Sequence, residues 1–179
     1  MRELKGTKTE ANLMAAFAGE SQARNKYTFF ANKAREDKFI QIADIFEETA
    51  ENERAHAEIW YKILSAGIGQ TLENLHSAAD GEHYEHETMY PEFAKCAREE
   101  GFEEIAALFE KVGAIEEEHE KRFKRLADNI ENGRVFYKDD DVWWQCENCG
   151  HTVRLKDAPD HCPVCGQPQG YFEIKKENY

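Results

Sequence analysis

The chain has 179 residues, a formal net charge of −13 and 41% hydrophobic residues. This length suits one medium domain with a small one beside it, and the hydrophobic fraction is enough for a packed core. The strong negative charge argues against nucleic acid or an anionic membrane as a partner.

The N-terminal stretch Met1–Asn12 is polar and mixed in charge. It lacks the apolar segment of a signal peptide, so we expect none. Nowhere do about 18 apolar residues run together, and no transmembrane helix is predicted. The expected compartment is the cytoplasm, where the five cysteines stay reduced unless they bind metal.

Residues 8 to 132 contain Pro91 as their only proline and are rich in Ala, Glu, Lys, Phe and Ile, a composition that favours helix. Breaks near Asp37–Phe39, Ala66–Gln70 and Glu100–Gly101 divide this segment, and Thr71 is the expected N-cap of the third helix. The four predicted helices cover residues 9–36, 39–65, 72–99 and 102–131.

Each predicted helix has an apolar stripe at 3.6-residue spacing, and ionisable residues interrupt the middle of every stripe. Cys96 lies on the continuation of the apolar stripe of the third helix, so we expect it to be a buried, small hydrophobic residue. Glu120 and His83 are interpreted as surface residues, and His86 is an alternative to Glu85 as a ligand. The interrupting residues are Glu20, Glu53, His56, Glu82, Glu85, Glu116 and His119.

The two halves of the helical segment repeat one design. A Gly-Glu pair ends at Glu20 and again at Glu82, and a tyrosine follows each, Tyr27 and Tyr90. The second and fourth helices then carry the Glu-x-x-His motifs that begin at Glu53 and Glu116, 33 and 34 positions after the Gly-Glu glutamates. Two helix hairpins of one design indicate a bundle with a pseudo-twofold axis.

This pattern predicts a metal site. Residues i and i+3 share a helix face, so each Glu-x-x-His directs a carboxylate and an imidazole to one point. Unpaired carboxylates in a core cost several kcal/mol each and repel one another, whereas two divalent cations cancel their charge, and iron or manganese suits these donors. A single motif in a Glu-rich helix is ordinarily a solvated face, but two matched ones follow the ligand pattern of ferritin-like di-iron bundles. Tyr27 and Tyr90 are either core aromatics or hydrogen-bond donors near the metals.

The composition changes after Gly133, and a domain boundary is predicted between residues 134 and 135. Two Cys-x-x-Cys-Gly turns, Cys146–Gly150 and Cys162–Gly166, follow with twelve residues between their cysteine pairs. Four thiolates from two turns form a tetrahedral site for iron or zinc. Some 45 residues bury too little surface to be stable without that metal, and a disulfide pair is the weaker alternative in a reducing compartment. The four cysteines are Cys146, Cys149, Cys162 and Cys165.

Both modules, in this order, resemble the rubrerythrin family over the whole chain. The resemblance rests on Ala16–Arg24, on Glu82-x-x-Glu85 with Met89-Tyr-Pro91, and on the two Glu-x-x-His and two Cys-x-x-Cys-Gly motifs. It implies an all-α ferritin-like four-helix bundle, residues 1–134. A small rubredoxin-like β/loop domain, residues 135–179, would follow.

The resemblance also implies roles for individual residues. Glu53 and Glu116 would bridge two irons, with Glu20 terminal on one of them. Glu82 and His119 would be terminal on the other iron. Glu85 would be an extra carboxylate of the oxidised state, exchanged for His56 on reduction, while Tyr27 and Tyr90 would donate hydrogen bonds around the pair. The four cysteines would hold one further iron, for which zinc could substitute.

The implied reaction is two-electron reduction of hydrogen peroxide to water by a non-haem peroxidase that protects against oxidative stress. Its electrons would come from an external reductase or rubredoxin through the four-cysteine iron. Two alternatives stay open from the sequence. One is an iron-storage ferroxidase, which has no use for the four-cysteine carrier, and the other is a zinc-ribbon adaptor, which leaves the buried carboxylates unexplained.

The connection between the second and third helices bears on assembly. These helices run parallel in a ferritin-like bundle, so the chain must return roughly 28 Å at 1.5 Å per helical residue. Ala66–Gln70 offers five residues, at most about 18 Å. We therefore expect a homodimer or larger assembly in which the first two helices pair with the last two of a partner chain, a domain-swapped dimer.

Overall fold

A computed structural model describes residues 3–178. The chain divides into two compact units that meet in sequence between Ile68 and Gly69. The outer bounds of each predicted helix are confirmed within one residue, but a π-helical turn divides the third one. No helix in the described range is long and apolar enough to cross a membrane.

The first unit is a helical hairpin of α1 (Lys8–Glu36) and α2 (Ile40–Leu64). Thr7 caps α1 by accepting the Glu10 N–H at 3.1 Å. The helices pack through small side chains, because the buried residues of both helices are alanines and those of α2 recur every seventh position. Small residues let two helices approach closely. The buried alanines are Ala31, Ala34, Ala43, Ala50 and Ala57.

The second unit begins with α3 (Thr71–Tyr84), a π-helical turn (Glu85–Met89) and α4 (Tyr90–Glu99), which pack against the long helix α5 (Glu103–Glu131). The predicted N-cap of α3 was wrong by one residue. Gln70 takes that place, and its backbone N–H donates to Glu73 Oε2 at 2.7 Å. The buried residues of α5 also recur every seventh position: Ala106, Gly113, Glu120 and Ala127.

The π-helical turn changes which residues face inward. It widens one helical turn and so inserts one extra residue, and the inward stripe beyond it moves by one position. Ala94 and Ala97 are buried in place of the neighbouring Phe93 and Cys96. The prediction that Cys96 is buried was therefore wrong, because it extended regular α-helical spacing through the π-helical turn.

Within the second unit, a three-stranded antiparallel sheet follows α5 in the order β2-β1-β3. Its strands are β1 (Tyr137–Cys146), β2 (Thr152–Asp157) and β3 (Phe172–Ile174), the last preceded by the short 3-10 helix Gln169–Tyr171. The sheet packs on a small core whose buried members are Trp144, Cys146, Ala158, Cys162 and Phe172. Helical segments followed by a small β/loop part confirm the predicted fold class. The boundary at residues 134 and 135 lies between α5 and β1 and stays a prediction.

Replacing Ala31 by leucine should destabilise the protein. Ala31 is fully buried in the α1–α2 contact, so three added carbon atoms overpack it at a cost of about 2 kcal/mol. The matched change Ala15→Leu, on the exposed side of the same helix, should stay within about 0.5 kcal/mol. Thermal unfolding of the iron-loaded variants measures the difference, and equal midpoints would refute close packing at Ala31.

Candidate metal centres

The first cluster of metal-binding side chains lies within the α1–α2 hairpin. Glu20 comes from α1, and Glu53 and His56 come from one face of α2. His56 Nδ1 lies 2.9 Å from Glu53 Oε2 and 3.9 Å from Glu20 Oε2. The Glu53 side chain is 17% exposed, whereas that of His56 is 51% exposed. Three donor atoms thus converge near the surface of this unit.

The second cluster repeats this geometry within α3 and α5. His119 Nδ1 lies 2.6 Å from Glu116 Oε2 and 3.8 Å from Glu82 Oε2. The two clusters therefore match in residue type and, within about 0.3 Å, in the distances from imidazole to carboxylate. We call them the first and second half-sites. The structure brings together six of the seven residues predicted for the di-iron site, as two sets of three.

The carboxylates of each half-site interact strongly with one another. A hydrogen bond with Glu53 is the main cause that raises the pKa of Glu20, and the same bond lowers the pKa of Glu53. The pKa of Glu82 is raised first by burial and then by the charge of Glu116. A divalent cation would relieve this repulsion between carboxylates, so the donor set fits a metal.

Glu85, the seventh predicted ligand, lies in the π-helical turn and outside the three-residue clusters. Its charge still raises the pKa of Glu82 and, after burial, that of Tyr90. Glu85 and Tyr90 therefore lie beside the second half-site. In the first unit, the ring centroid of Tyr27 lies 6.3 Å from that of Phe30 and 6.2 Å from that of Phe46, as in a core aromatic. The predicted hydrogen-bonding roles of both tyrosines stay predictions.

Two polar features were missed from the sequence. The indole N–H of Trp60 is buried without a hydrogen-bond partner among the described residues, yet Trp60 is close enough to act on the pKa of Glu20. The sequence showed Trp60 only as an apolar stripe member. Glu120, predicted to lie at the surface, is 6% exposed. Its partner is His86, which the structure places against Glu120 and not among the ligands of the second half-site.

The four cysteines meet as predicted. The Sγ atoms of Cys146 and Cys165 lie 3.7 Å apart, and those of Cys149 and Cys162 lie 3.6 Å apart. A tetrahedral metal with metal–sulfur bonds of about 2.3 Å needs sulfur–sulfur distances of about 3.8 Å. The sulfurs therefore need to move very little to hold a metal. All five cysteines of the described chain are free of disulfides.

Backbone N–H groups point at two of these sulfurs. The N–H of Gln167 is the main cause that lowers the pKa of Cys165 to about 6. The N–H of His151 also lowers the pKa of Cys149, but burial and the other thiols outweigh it and raise the value to about 12. Gly150 and Gly166, each with φ near +75°, make these close turns possible. Such N–H donors tune the potential of a bound iron.

Comparison with known proteins adds to this geometry. The family model described as Rubrerythrin matches residues 11–127, and the model of the rubrerythrin rubredoxin-like domain matches residues 144–173. The chain belongs to the rubrerythrin family. It is 50% identical to Rubrerythrin-1 of Clostridium acetobutylicum, covering 100% of both chains.

A second relative and a solved structure show further similarity. The chain is 47% identical to the rubrerythrin of Nitratidesulfovibrio vulgaris, again over 100% of both chains. A solved structure of nigerythrin in a partially reduced state is 32% identical, covering 98% of this chain and 92% of that one, with a TM-score of 0.37. The sequence matches establish the family. The protein is thus a rubrerythrin-family oxidoreductase with carboxylate–histidine sites and a rubredoxin-like four-cysteine site.

Replacing Cys162 by serine should abolish iron binding at the four-cysteine site, because a buried hydroxyl is a poor substitute for a thiolate ligand. The matched change Cys96→Ser, at an exposed cysteine outside the cluster, should leave that iron in place. Visible absorbance and iron content per chain measure the result. Retention of the tetrathiolate spectrum by Cys162→Ser would contradict the assignment.

Proposed function

We propose that the protein is a non-haem di-iron peroxidase that reduces hydrogen peroxide to water and protects against oxidative stress. The observation that carries this proposal is the presence, in one chain, of two matched half-sites and a four-thiolate site of tetrahedral dimensions. The first supplies a place for two redox metals, and the second a place for a one-electron carrier. A storage protein needs only the first, and a zinc adaptor only the second.

The ligand assignment follows the half-sites. Glu20, Glu53 and His56 would hold one iron, while Glu82, Glu116 and His119 would hold the other. Glu85, from the π-helical turn, would be a further carboxylate ligand in the oxidised state, and His56 would replace it on reduction. When bound, this iron pair supplies two electrons to peroxide, and the tetrathiolate iron replaces them one at a time.

The chain's own groups would position the ligands and manage protons. Glu53 Oε2 accepts a hydrogen bond from the Nδ1–H of His56, so the two side chains of this Glu-x-x-His motif lie side by side. His56 is half exposed and has room to move, in keeping with its proposed exchange with Glu85. The hydroxyl of Tyr90 and the carboxylates beside it would hold and pass the protons that peroxide reduction consumes.

Electrons would enter at the four-cysteine site. Cys149 and Cys165 lie at the surface of their domain, whereas Cys146 and Cys162 are buried in its core. One edge of a bound iron would therefore face solvent, where an external reductase or rubredoxin could approach. The four thiols must stay reduced to bind iron, so we place the protein in the cytoplasm.

We further propose that the complete iron pair forms in a domain-swapped homodimer. Both units expose large apolar side chains along the same stripes that carry the half-site ligands. The stripes of α2 and α5 match position by position, at an offset of 63 residues. Ile42, Ile45 and Ile63 of α2 correspond to Ile105, Leu108 and Leu126 of α5. All six side chains are 44–59% exposed. Apolar stripes of this size mark a surface that another protein surface covers.

The occupant we assign is a second copy of the chain. The six residues 65–70 between α2 and α3 reach at most about 21 Å. A ferritin-like bundle would require roughly 28 Å for that connection. The hairpin α1–α2 of one chain would then pair with α3–α5 of its partner, and each iron pair would take one half-site from each chain.

Adding hydrogen peroxide to the fully reduced, oxygen-free protein should rapidly restore the colour of oxidised tetrathiolate iron. The electrons must leave that iron to replace those consumed at the di-iron site. Stopped-flow absorbance measures the rate. A colour that returns with oxygen but hardly with peroxide would contradict the peroxidase, and a colourless protein would place zinc in the four-cysteine site.

Matched variants connect this reaction to the half-sites. Glu116→Gln removes one charged ligand and should lower kcat/KM for peroxide at least 100-fold, roughly 3 kcal/mol. Glu118→Gln, at an exposed residue of the same helix that pairs with Lys121, should change it less than twofold. Equal activity of the two variants would refute the assigned role of Glu116.

A mixed dimer tests the domain swap. Two differently tagged chains, one with Glu53→Gln and the other with Glu116→Gln, are co-expressed and the mixed dimer is isolated. A swapped dimer combines two native half-sites in one of its two iron pairs and should keep about half of the wild-type activity. An unswapped dimer has one altered half-site in each pair and should be inactive, as should both parent homodimers. An inactive mixed dimer, or a monomeric mass in solution, would overturn the proposal.

A further inference from the structure

A third cluster of metal-binding side chains lies in the second unit, outside the proposed iron ligands. His86 Nε2 lies 2.6 Å from Glu120 Oε2, and His83 Nδ1 lies 3.1 Å from Glu120 Oε1. The two imidazole rings are perpendicular, with their centroids 5.3 Å apart. One donor atom from each residue falls within 4.8 Å of the others.

Glu120 occupies an unusual place for a charged residue. It stands in the buried seven-residue series of α5, whose other members are Ala106, Gly113 and Ala127. In the repeated design of the first hairpin, the equivalent positions of Glu120 and His83 are Ala57 and Ser21. The first hairpin therefore packs without any such cluster, and helix packing alone does not call for a carboxylate here.

The Glu120 carboxylate is almost fully buried. Its side chain is 8% exposed, and its Oε1 faces His83 Nδ1 and the ammonium group of Lys124. The Lys124 side chain itself is 60% exposed. A buried carboxylate thus faces two imidazoles.

We propose that His83, His86 and Glu120 form a further binding site for a divalent transition-metal ion of the zinc class. Two imidazole nitrogens and one carboxylate oxygen are donors that zinc and ferrous iron both accept. Bonds of about 2.1 Å place tetrahedral ligands about 3.4 Å apart, so His86 and Glu120 would have to separate by about 0.8 Å, and His83 and Glu120 by about 0.3 Å. Water would supply the remaining ligand.

The site would have a mechanical effect on its surroundings. His83 lies at the end of α3, His86 in the π-helical turn and Glu120 on α5. Each directly follows a proposed iron ligand in sequence, namely Glu82, Glu85 and His119. A bound ion would tie the π-helical turn to α5 and so resist its unfolding. Because the ion binds the native state, it should raise the unfolding temperature.

Zinc titration of the oxidised, iron-loaded protein tests the site. Calorimetry should detect one additional zinc ion per chain, and saturating zinc should raise the unfolding temperature by about 3 °C or more. The tetrathiolate absorbance should stay constant, which shows that zinc has not displaced iron. His83→Gln, His86→Gln and Glu120→Gln should each weaken zinc binding about tenfold or more.

His76→Gln is the matched control. His76 Nε2 contacts Glu131 Oε1 at 3.0 Å across the same two helices, but without a second imidazole. This variant should bind zinc as tightly as the wild type. The proposal is overturned if no additional zinc binds, if zinc binds only as tetrathiolate absorbance falls, or if the His83 and His86 variants bind it normally. Should the buried variants fail to fold, His83→Gln decides, since His83 is 57% exposed. Peroxidase activity is not a readout, so this test stands apart from that of the proposed function.

Discussion

The structure depends on one electrostatic constraint: ionised carboxylates placed in the apolar stripes of packed helices. Such charges are unfavourable without a counter-charge, and the hydrogen bond between Glu20 and Glu53 accordingly raises the pKa of Glu20. Metal binding and folding would then be linked, because ions bound at the half-sites would neutralise these carboxylates. The rubredoxin-like domain follows the same principle with thiolates, since two of its ligands, Cys146 and Cys162, belong to its small hydrophobic core.

Helix packing in both units allows this arrangement. Alanines at every seventh position of α2 bring it close to α1, and the buried series of α5 is likewise made of small residues except at Glu120. Alanine and glycine residues on one face of each helix make the contacts between helices. The stripes that carry the half-site residues lie on another face and do not make these contacts. The stripes can therefore carry glutamate and histidine at positions where an ordinary bundle needs leucine. Stability and chemistry are thus assigned to different faces of the same helices.

Much of this was predictable from the sequence, and the failures have physical causes. Helix bounds and ligand clusters follow from periodicity and spacing, which are local properties. The residues of α4 that face inward were mispredicted, because regular α-helical spacing was assumed through the π-helical turn. A sign of that turn was present, since Glu82 follows Glu20 by 62 positions whereas Tyr90 follows Tyr27 by 63. The burial of Glu120 had no such sign, because a glutamate beside His119 in an acidic helix resembles surface charge until tertiary packing is known.

The π-helical turn has a consequence for how sequences of this type can vary. One inserted residue rotates the remainder of a helix by about 100°. Here that rotation lets Glu82 face the second half-site while Ala94 and Ala97, the counterparts of Ala31 and Ala34, face α5. Both orientations hold only while the segment keeps its present length. A substitution between residues 85 and 89 changes one side chain and leaves both orientations in place. A deletion of one residue would instead rotate either Glu82 away from the second half-site or Ala94 and Ala97 away from α5. Selection should therefore preserve the spacing of this segment more strictly than its composition.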